Sequence, residues 1–288
     1  MDITFSTGSL VGYSLSAIFG IAQRVDADGL ELLLTPGLIK RGPAPVQALE
    51  HEFGVPVRSV HALMRLRRPS PERAAEDIVA SARFARELNR CSVLVVHAPD
   101  TSGLHTPEAR AWIDAIEAAR EIGEAAPFHV SIENPGRLTA REPPSFLDHP
   151  ERLRWLAAEW GLGITFDTAH AASREWDIVV SAARLRAHLE NVHLSDYGHR
   201  SYRSGLANSL LRDHQLPGTG TLPLDSLMQS LTGSAYPGLV TLELSPLALG
   251  ALWRWPVEGL LRKAIGSCRV GETADRSSAE QSKHPGLP

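Results

Sequence analysis

Short apolar runs recur along the chain, and each is followed by a longer segment in which apolar residues repeat every three to four positions. Each run is bounded by Gly, Pro or polar residues, which is typical of short strands buried on both faces. The pattern therefore predicts eight strands: Ile3–Thr7, Gly29–Leu34, Val57–Leu63, Ser92–His97, Phe128–Glu133, Leu162–Asp167, Glu190–Ser195 and Leu239–Leu244.

The segments between these runs have helical patterns. Ser70–Leu88 and Thr106–Glu124 both begin with a hydroxyl residue followed by Pro and Glu, which is a common way for a helix to start. Asp148–Gly161 repeats the pattern and ends at Gly, and Pro223–Gly233 is a shorter version. Strands that alternate with helices must pair in parallel through right-handed crossovers. Eight such units favour an α/β fold of the closed (β/α)8 TIM barrel type over an open sheet, which more often has five or six strands.

Composition agrees with one large domain and excludes several classes of protein. The chain has 288 residues, against about 250 for a typical barrel of this kind, and 43% of them are hydrophobic. A net charge of −4 gives no global basic field for nucleic acid or membranes. Two cysteines make no disulfide framework, and the chain has neither a signal-peptide pattern nor a long apolar segment. We predict a cytoplasmic protein with a barrel over residues 1–268 and a disordered tail over residues 269–288.

Six successive predicted strands end in an acid or an imidazole. These residues are His61, His97, Glu133, Asp167, His193 and Glu243, with His170 three residues beyond Asp167. Active sites of TIM barrels lie at the C-terminal ends of the strands, so these side chains are expected to converge. Oxygen and nitrogen ligands without thiolate suit Zn²⁺, Mn²⁺, Co²⁺ or Mg²⁺.

Each of these residues also has an ordinary structural interpretation. A single buried glutamate can be an ion-pair partner, and a single histidine at a strand end is more often a hydrogen-bonded structural residue than a ligand. The argument for a metal is joint, because Glu133, Asp167 and Glu243 would point toward one small region. Burying unpaired carboxylates together costs several kcal/mol each unless cations or protons compensate. We therefore predict a site for at least one divalent metal.

Four segments resemble the xylose-isomerase-like TIM barrel superfamily. They are IENPG, FDTAHA, HLSD and HQLPGTG, which occur in this order on successive strands, and the resemblance runs from about Ile3 to Leu261. The superfamily contains sugar-phosphate isomerases and epimerases as well as the endonuclease IV group of abasic-site nucleases.

The isomerase branch implies a metal held by Glu133, Asp167, His193 and Glu243. Glu133 and Glu243 would also move a proton next to a substrate carbonyl, through an enediolate that the metal stabilises. His170 would donate a hydrogen bond to a substrate hydroxyl. The branch often has an Arg six residues beyond the strand-seven His, where this chain has His199 followed by Arg200. We therefore predict a substrate contact at these two residues, in a form that departs from the family pattern.

The endonuclease IV branch implies three zinc ions. His61, His97 and Glu133 match the first site, and the four residues of the isomerase site match the second. The third matches His170 and His214, but Arg212 stands where the branch has an aspartate. The sequence therefore predicts an incomplete third site, with a guanidinium that would repel a cation but could bind phosphate.

A nuclease must also contact phosphates. The loop after the third strand carries Arg65, Arg67 and Arg68, although a solvated loop or one that contacts a sugar phosphate is the favoured interpretation.

We predict that the protein is a metal-dependent isomerase or epimerase and that its partner is a small-molecule sugar or sugar phosphate. The alternatives are a zinc phosphodiesterase that binds nucleic acid and a non-catalytic binding protein. A homo-oligomer is compatible with the sequence, and the long connection after the seventh strand is expected to cover the site.

Overall fold

The chain folds into a closed barrel of eight parallel strands that follow one another in sequence order. The computed structural model describes residues 1–65, 69–253 and 257–281. The first and last strands pair with each other and close the barrel. The strands are β1 (Asp2–Ser6), β2 (Gly29–Leu33), β3 (Val57–His61), β4 (Val93–His97), β5 (His129–Glu133), β6 (Gly163–Asp167), β7 (Leu189–Leu194) and β8 (Leu239–Leu242).

Helices surround the barrel and connect the strands. In the described ranges they are α1 (Leu15–Arg24), α2 (Pro36–Arg41), α3 (Ala44–Phe53), α4 (Pro71–Arg86), α5 (Pro107–Glu124), α6 (Pro150–Trp160), α7 (Thr168–Ser173), α8 (Ile178–Leu185), α9 (Gly205–Leu211), α10 (Leu224–Gly233) and α11 (Val257–Gln281). The predicted (β/α)8 TIM barrel is thereby confirmed, with all eight predicted strands in place.

Two of the predicted helix starts are found, and a third is different. The hydroxyls of Ser70 and Thr106 accept hydrogen bonds from the backbone three residues on, as N-caps do. The predicted start at Asp148 is wrong, because α6 begins at Pro150 with His149 at its N-cap. Asp148 instead accepts a hydrogen bond from the Ser145 backbone and pairs with an arginine of a neighbouring loop, so its carboxylate is not available to cap the helix.

Alternate residues of the strands face two different environments. One set, including Phe5, Leu32 and Phe166, belongs to the large apolar core that lies between strands and helices. The other set contains short polar side chains and forms a chain of hydrogen bonds across the strands: Thr4 to Thr241, Thr241 to Asn191, Asn191 to Glu31 and Ser59 to Glu31. Branched apolar residues usually dominate the interior of TIM barrels, so this polar layer is a particular feature of the chain.

The last helix crosses the predicted domain boundary. Residues 269–281, which were expected to lack regular structure, belong to α11. This stretch contains several good helix formers and no proline, which favours continuation of the helix. The remainder of the predicted tail, residues 282–288, lies outside the described residues, and the boundary at residue 268 stays a prediction. None of the described helices combines the length and the apolar character needed to cross a membrane.

Candidate metal centre at the C-terminal ends of the strands

The predicted metal ligands meet at the C-terminal end of the barrel. Three groups each offer ligand atoms that lie within 4.8 Å of one another. We call them the tetrad (Glu133, Asp167, His193 and Glu243), the inner cluster (His61, His97 and Glu133) and the outer cluster (Asp167, His170 and His214). Glu133 belongs to the tetrad and the inner cluster, and Asp167 belongs to the tetrad and the outer cluster. The three groups therefore form one continuous centre.

Glu133 lies in the middle of this centre and is almost fully buried. Its Oε2 atom is 2.9 Å from His97 Nε2 and 3.4 Å from His61 Nε2. Its Oε1 atom is 3.1 Å from His170 Nδ1 and 3.4 Å from His193 Nδ1. Four imidazoles thus surround one carboxylate, and both of its oxygens face possible ligands.

Asp167 divides its two oxygens between structure and site. Oδ1 accepts a hydrogen bond of 2.6 Å from the His170 backbone and so caps helix α7. Oδ2 faces His193 Nδ1 at 4.0 Å and His214 Nδ1 at 3.8 Å. Asn134 fixes the Asp167 backbone, because its side-chain amide accepts from the Asp167 N–H and donates to the Asp167 carbonyl. The Asn of the IENPG segment is therefore a positioning residue.

The glycine of IENPG makes room for an imidazole. A Cβ atom on Gly136 would lie 2.6 Å from Cδ2 of His170, which is closer than real Cβ contacts. The His170 Nδ1 atom is 3.1 Å from the Asn134 carbonyl oxygen. The loop after β5 and the start of α7 therefore fit together only with glycine at this position.

His193 contacts a carboxylate with each ring nitrogen. Nδ1 is 2.7 Å from Glu243 Oε2, inside the tetrad. Nε2 is 3.0 Å from Glu31 Oε2, which lies deeper in the barrel. A metal-binding histidine usually donates its second N–H to a carboxylate or carbonyl, which fixes its tautomer and orientation. Glu31 occupies that place for His193.

The sequence-based prediction did not include Glu31. This residue is fully buried on β2 and also accepts hydrogen bonds from Ser59 and Asn191, at 2.9 and 3.3 Å. The available signal was an acid inside the otherwise apolar run GLELLL. A charged residue is almost never fully buried unless it is paired, so this glutamate already required a cationic or hydrogen-bonding partner.

The chemistry of the tetrad fits a divalent cation. One polar atom of each member is buried and makes no hydrogen bond of good geometry among the described residues, although other ionisable groups of the centre lie 2.7–4.0 Å away: Glu133 Oε2, Asp167 Oδ2, His193 Nδ1 and Glu243 Oε2. Buried polar atoms are normally paired, because each unpaired one costs about 1–3 kcal/mol. Three carboxylate oxygens and one imidazole nitrogen within 4.8 Å of each other are a ligand set for Zn²⁺, Mn²⁺, Co²⁺ or Mg²⁺.

The charges of this centre shift the pKa values of its members. Burial lowers the pKa of the His61 imidazole. The hydrogen bond and the charge interaction with Glu133 outweigh burial and raise this pKa to about 9. Burial also lowers the pKa of His170, but the interactions with Asp167 and Glu133 outweigh it and raise this pKa to about 10. His193 has a pKa well above its usual value, because the charges of Glu31 and Glu243 outweigh burial.

The carboxylates shift in the complementary direction. Burial raises the pKa of Glu133, but the charges of His97 and His193 outweigh it and hold the pKa well below its usual value. The charge of His193 likewise holds the pKa of Glu243 below its usual value despite burial. Asp167 differs, because burial dominates and raises its pKa.

These shifts predict that cation binding releases protons. The carboxylates around His193 favour its protonated form and hold its pKa well above the usual value, whereas an imidazole must be neutral to bind a metal. We expect at least about one proton released per bound ion, from His193, and an affinity that rises with pH. Calorimetric titration with Mn²⁺ in buffers of different ionisation enthalpy measures this number. The His129→Gln variant removes an imidazole at the opposite end of the barrel and should release the same number. A titration that releases no protons would contradict the assignment.

His214 joins the centre through a short antiparallel contact. Asp196 and Gln215 exchange backbone hydrogen bonds of 2.8 and 2.9 Å. This contact places His214, whose φ is +55°, next to Asp167. The long connection after β7 therefore contributes a residue to the outer cluster, and part of it forms helix α9.

The predicted effect of Arg212 on this cluster requires correction. Its guanidinium is buried and donates to the neighbouring Asp213 and to the Arg137 carbonyl, at 2.7 and 2.9 Å. It also lies over the Tyr197 ring. Asp213 holds the guanidinium of Arg212 next to it. None of the partners of Arg212 belongs to the three clusters. His170 and His214 nevertheless share the outer cluster with Asp167, although no aspartate replaces the ligand expected at position 212.

The glycines of HQLPGTG support the loop that carries His214. The carboxylate of Asp196 accepts hydrogen bonds from the backbones of Gly218, Gly220 and Leu222, at 3.0, 2.8 and 3.0 Å. A Cβ atom on Gly220 would overlap this carboxylate and the Tyr197 carbonyl. The motif therefore has a structural role next to the site.

Replacing Gly220 with alanine should destabilise the fold. We expect the free energy of unfolding to fall by about 1–3 kcal/mol, which is the usual cost of forcing an extra methyl group into a packed region. Urea denaturation measures the change. Gly233→Ala is the matched control, because no atom beyond its chain neighbours and its own helix backbone lies within 4 Å of the added Cβ, and it should not lower the free energy of unfolding. Equal stabilities of the two variants would contradict this account of the loop.

The other predicted contact residues lie outside the three clusters. His199 and Arg200 are exposed, and Arg200 lies over the Tyr202 ring, so their predicted role in substrate binding stays a prediction. Arg65 forms an ion pair with Asp77 of α4, which accounts for its charge. Arg67 and Arg68 lie outside the described residues.

Comparisons with known proteins agree with the architecture. A family model described as a xylose isomerase-like TIM barrel matches residues 8–265. An uncharacterized protein of Mycobacterium tuberculosis is 28% identical over 265 residues, which is 85% of this chain and 89% of that protein.

Solved structures with the same fold include sugar epimerases. The 3-keto-D-glucoside 4-epimerase of Escherichia coli superposes with a TM-score of 0.69 at 18% identity, covering 94% of this chain and 99% of that one. The D-allulose 3-epimerase of a Methylomonas species, solved in complex with D-allulose, gives 0.68 at 16% identity, with 92% and 95% covered.

Proposed function

The chain belongs to the xylose isomerase-like TIM barrel family, and on that premise we propose that it is a divalent-metal-dependent sugar or sugar-phosphate isomerase or epimerase. The observation that carries the proposal is the tetrad, whose four members each offer a ligand atom within 4.8 Å of the others. The fold shared with epimerases of small sugars supports the same class of reaction.

Glu133 and Glu243 differ in exposure, and this difference supports different roles for them in proton transfer. The Glu243 side chain is 26% exposed, whereas that of Glu133 is 1% exposed. Because the pKa of Glu243 lies below its usual value, this carboxylate is ionised at neutral pH and able to accept a proton from a substrate carbon. We assign the return of the proton to Glu133 and its surrounding imidazoles.

The remaining members hold and orient the substrate. A divalent cation bound by the tetrad would supply a Lewis acid where negative charge develops next to the substrate carbonyl. His170 and His214 are partly exposed at the mouth of the barrel, and His97 has 42% of its side chain exposed. These imidazoles are placed to bind substrate hydroxyls, while the buried Glu31 keeps His193 in position.

Isotope exchange tests this proposal directly. Purified protein loaded with Mn²⁺ or Co²⁺ is incubated in D₂O with a panel of ketoses and aldoses, including D-allulose, and with their phosphates. We expect deuterium to appear at the carbon next to the carbonyl, as measured by NMR. The same panel without added metal and with a chelator is the control. No exchange with any sugar, together with cleavage of a DNA duplex that contains an abasic site, would overturn the proposal.

One observation favours a second candidate, a zinc phosphodiesterase. The inner and outer clusters share Glu133 and Asp167 with the tetrad, and bridged ions suit the hydrolysis of phosphodiesters, because they stabilise both the attacking and the leaving oxygen.

Counting bound ions separates the two candidates. Elemental analysis should give about one ion per chain for the isomerase and two or three for the phosphodiesterase. For the isomerase, His61→Ala should leave the count at one, because His61 belongs to the inner cluster and not to the tetrad. Loss of one of several ions in that variant would favour the phosphodiesterase.

A further inference from the structure

A cavity of about 580 Å³ opens beside the metal centre, between the ends of β3 and β4 and the helices that follow them. His61 and His97 form part of its wall, and the same two residues belong to the inner cluster. This volume is in the range of ligand sites, about 300–1,000 Å³. A molecule whose reactive end lies at the tetrad would therefore have room for a substituent in this cavity.

The described wall of this cavity is mainly apolar. It includes Ala62, Leu63, Met64, Ala75, Ile78 and Trp112. Trp112 donates its indole N–H to the His97 carbonyl at 2.9 Å, so the one polar group of this side chain is already paired. The arginine and aspartate in the wall, Arg65 and Asp77, pair with each other.

The charged aspartate, glutamate and arginine side chains that the structure describes in this wall are one ion pair and two further acids. Asp100 and Glu108 also line it and are exposed, so two carboxylates stand at its edge, and the one described lining arginine is already in an ion pair. An aromatic or branched aliphatic group placed here would bury apolar surface against Ile78 and Trp112.

From this geometry we propose that the substrate is a sugar that carries an apolar substituent, such as the aglycone of a glycoside, and that the substituent binds in the cavity of His61, His97 and Trp112. This inference rests on the proposed function for the reactive end of the substrate. The apolar wall of the cavity supports the chemistry proposed for the substituent at the other end of the substrate.

Binding of unreactive ligands tests the inference without requiring turnover. The affinities of phenyl β-D-glucoside, methyl β-D-glucoside and glucose 6-phosphate are compared by calorimetry on the full chain loaded with metal. We expect phenyl β-D-glucoside to bind about 10–100-fold more tightly than the methyl glycoside, which corresponds to burial of one large apolar group. Equal affinities, or tightest binding of the phosphate, would overturn the inference. Deuterium exchange is measured separately, so failure of the proposed function is distinguishable from failure of this inference.

Two pairs of variants localise the effect. Ala75→Trp should fill the cavity and remove the preference for the phenyl group, whereas Ala80→Trp, on the same helix but outside the cavity wall, should retain it. Met64→Glu places a charge in the wall at a residue that is 53% exposed, where folding should be unaffected, and should lower phenyl binding at least about fivefold. Val11→Glu, at a residue of similar exposure, is its control. A preference that survives both Ala75→Trp and Met64→Glu would place the phenyl group elsewhere and overturn the inference.

Discussion

Replacing Glu133 with glutamine is expected to lower the rate of deuterium exchange at least about 1,000-fold, within the range of 10²–10⁴ for loss of a general acid or base. The carboxylate contacts four imidazoles within 3.4 Å and contributes to two of the three clusters. Glutamine keeps the size of the side chain but removes its charge, so both the cation site and the charge balance of the histidines are lost. The measurement is the exchange rate at saturating metal, together with the number of bound ions.

Glu190→Gln is the matched control for this substitution. Glu190 is another glutamate of the barrel, with a side chain that is 25% exposed, and it pairs with His129 at the opposite end of the strands. Its replacement should leave the exchange rate within about twofold, as expected for a residue remote from the reaction. Circular dichroism should show that both variants are folded. A Glu133→Gln protein that retains a tenth of the wild-type rate would contradict the central place assigned to this carboxylate.

Replacing Glu31 with alanine should weaken metal binding about 10–100-fold, which is the usual cost of losing the partner that orients a metal-binding histidine. Glu31 does not belong to the tetrad, yet its Oε2 atom is 3.0 Å from Nε2 of His193. Without it, His193 can rotate or adopt the other tautomer, so that Nδ1 no longer presents a lone pair to the tetrad. The measurement is the dissociation constant for Co²⁺, followed by the visible absorption of the bound ion.

The conservative variant distinguishes positioning from a general loss of stability. Glu31→Gln retains an oxygen that can accept the His193 N–H, so it should restore most of the affinity and the Co²⁺ spectrum. Ser59→Ala removes one donor to Glu31 and should have a smaller effect than Glu31→Ala. Wild-type affinity in Glu31→Ala would contradict the positioning role.

Most of the fold could be predicted from the sequence, because each strand of this barrel is short, apolar and bounded by breakers. Helix starts at Ser70 and Thr106 were predictable, since a hydroxyl residue before Pro and Glu caps a helix through local contacts alone. The start of α6 was not, because the carboxylate of Asp148 pairs with Arg174 from a distant part of the chain. Local patterns do not contain such tertiary partners.

The residues of the candidate site could likewise be predicted only in part. The tetrad was predictable, because its members end successive strands and all strands of a parallel barrel end on one face. Glu31 lies outside the sequence-based prediction because the run GLELLL is mostly apolar, whereas the barrel interior places polar residues at alternate positions. The placement of Arg212 depended on the orientation of its side chain toward Asp213, which spacing in the sequence does not determine.

Closure of the barrel by its first and last strands has a consequence for biosynthesis. Thr4 of β1 and Thr241 of β8 are joined by a hydrogen bond of 2.8 Å, and Glu243 follows β8 directly. A nascent chain that has left the ribosome only as far as β7 carries three members of the tetrad but neither the fourth nor the strand that completes the ring. The proposed cation site of the tetrad is therefore complete only after the last strand has been translated.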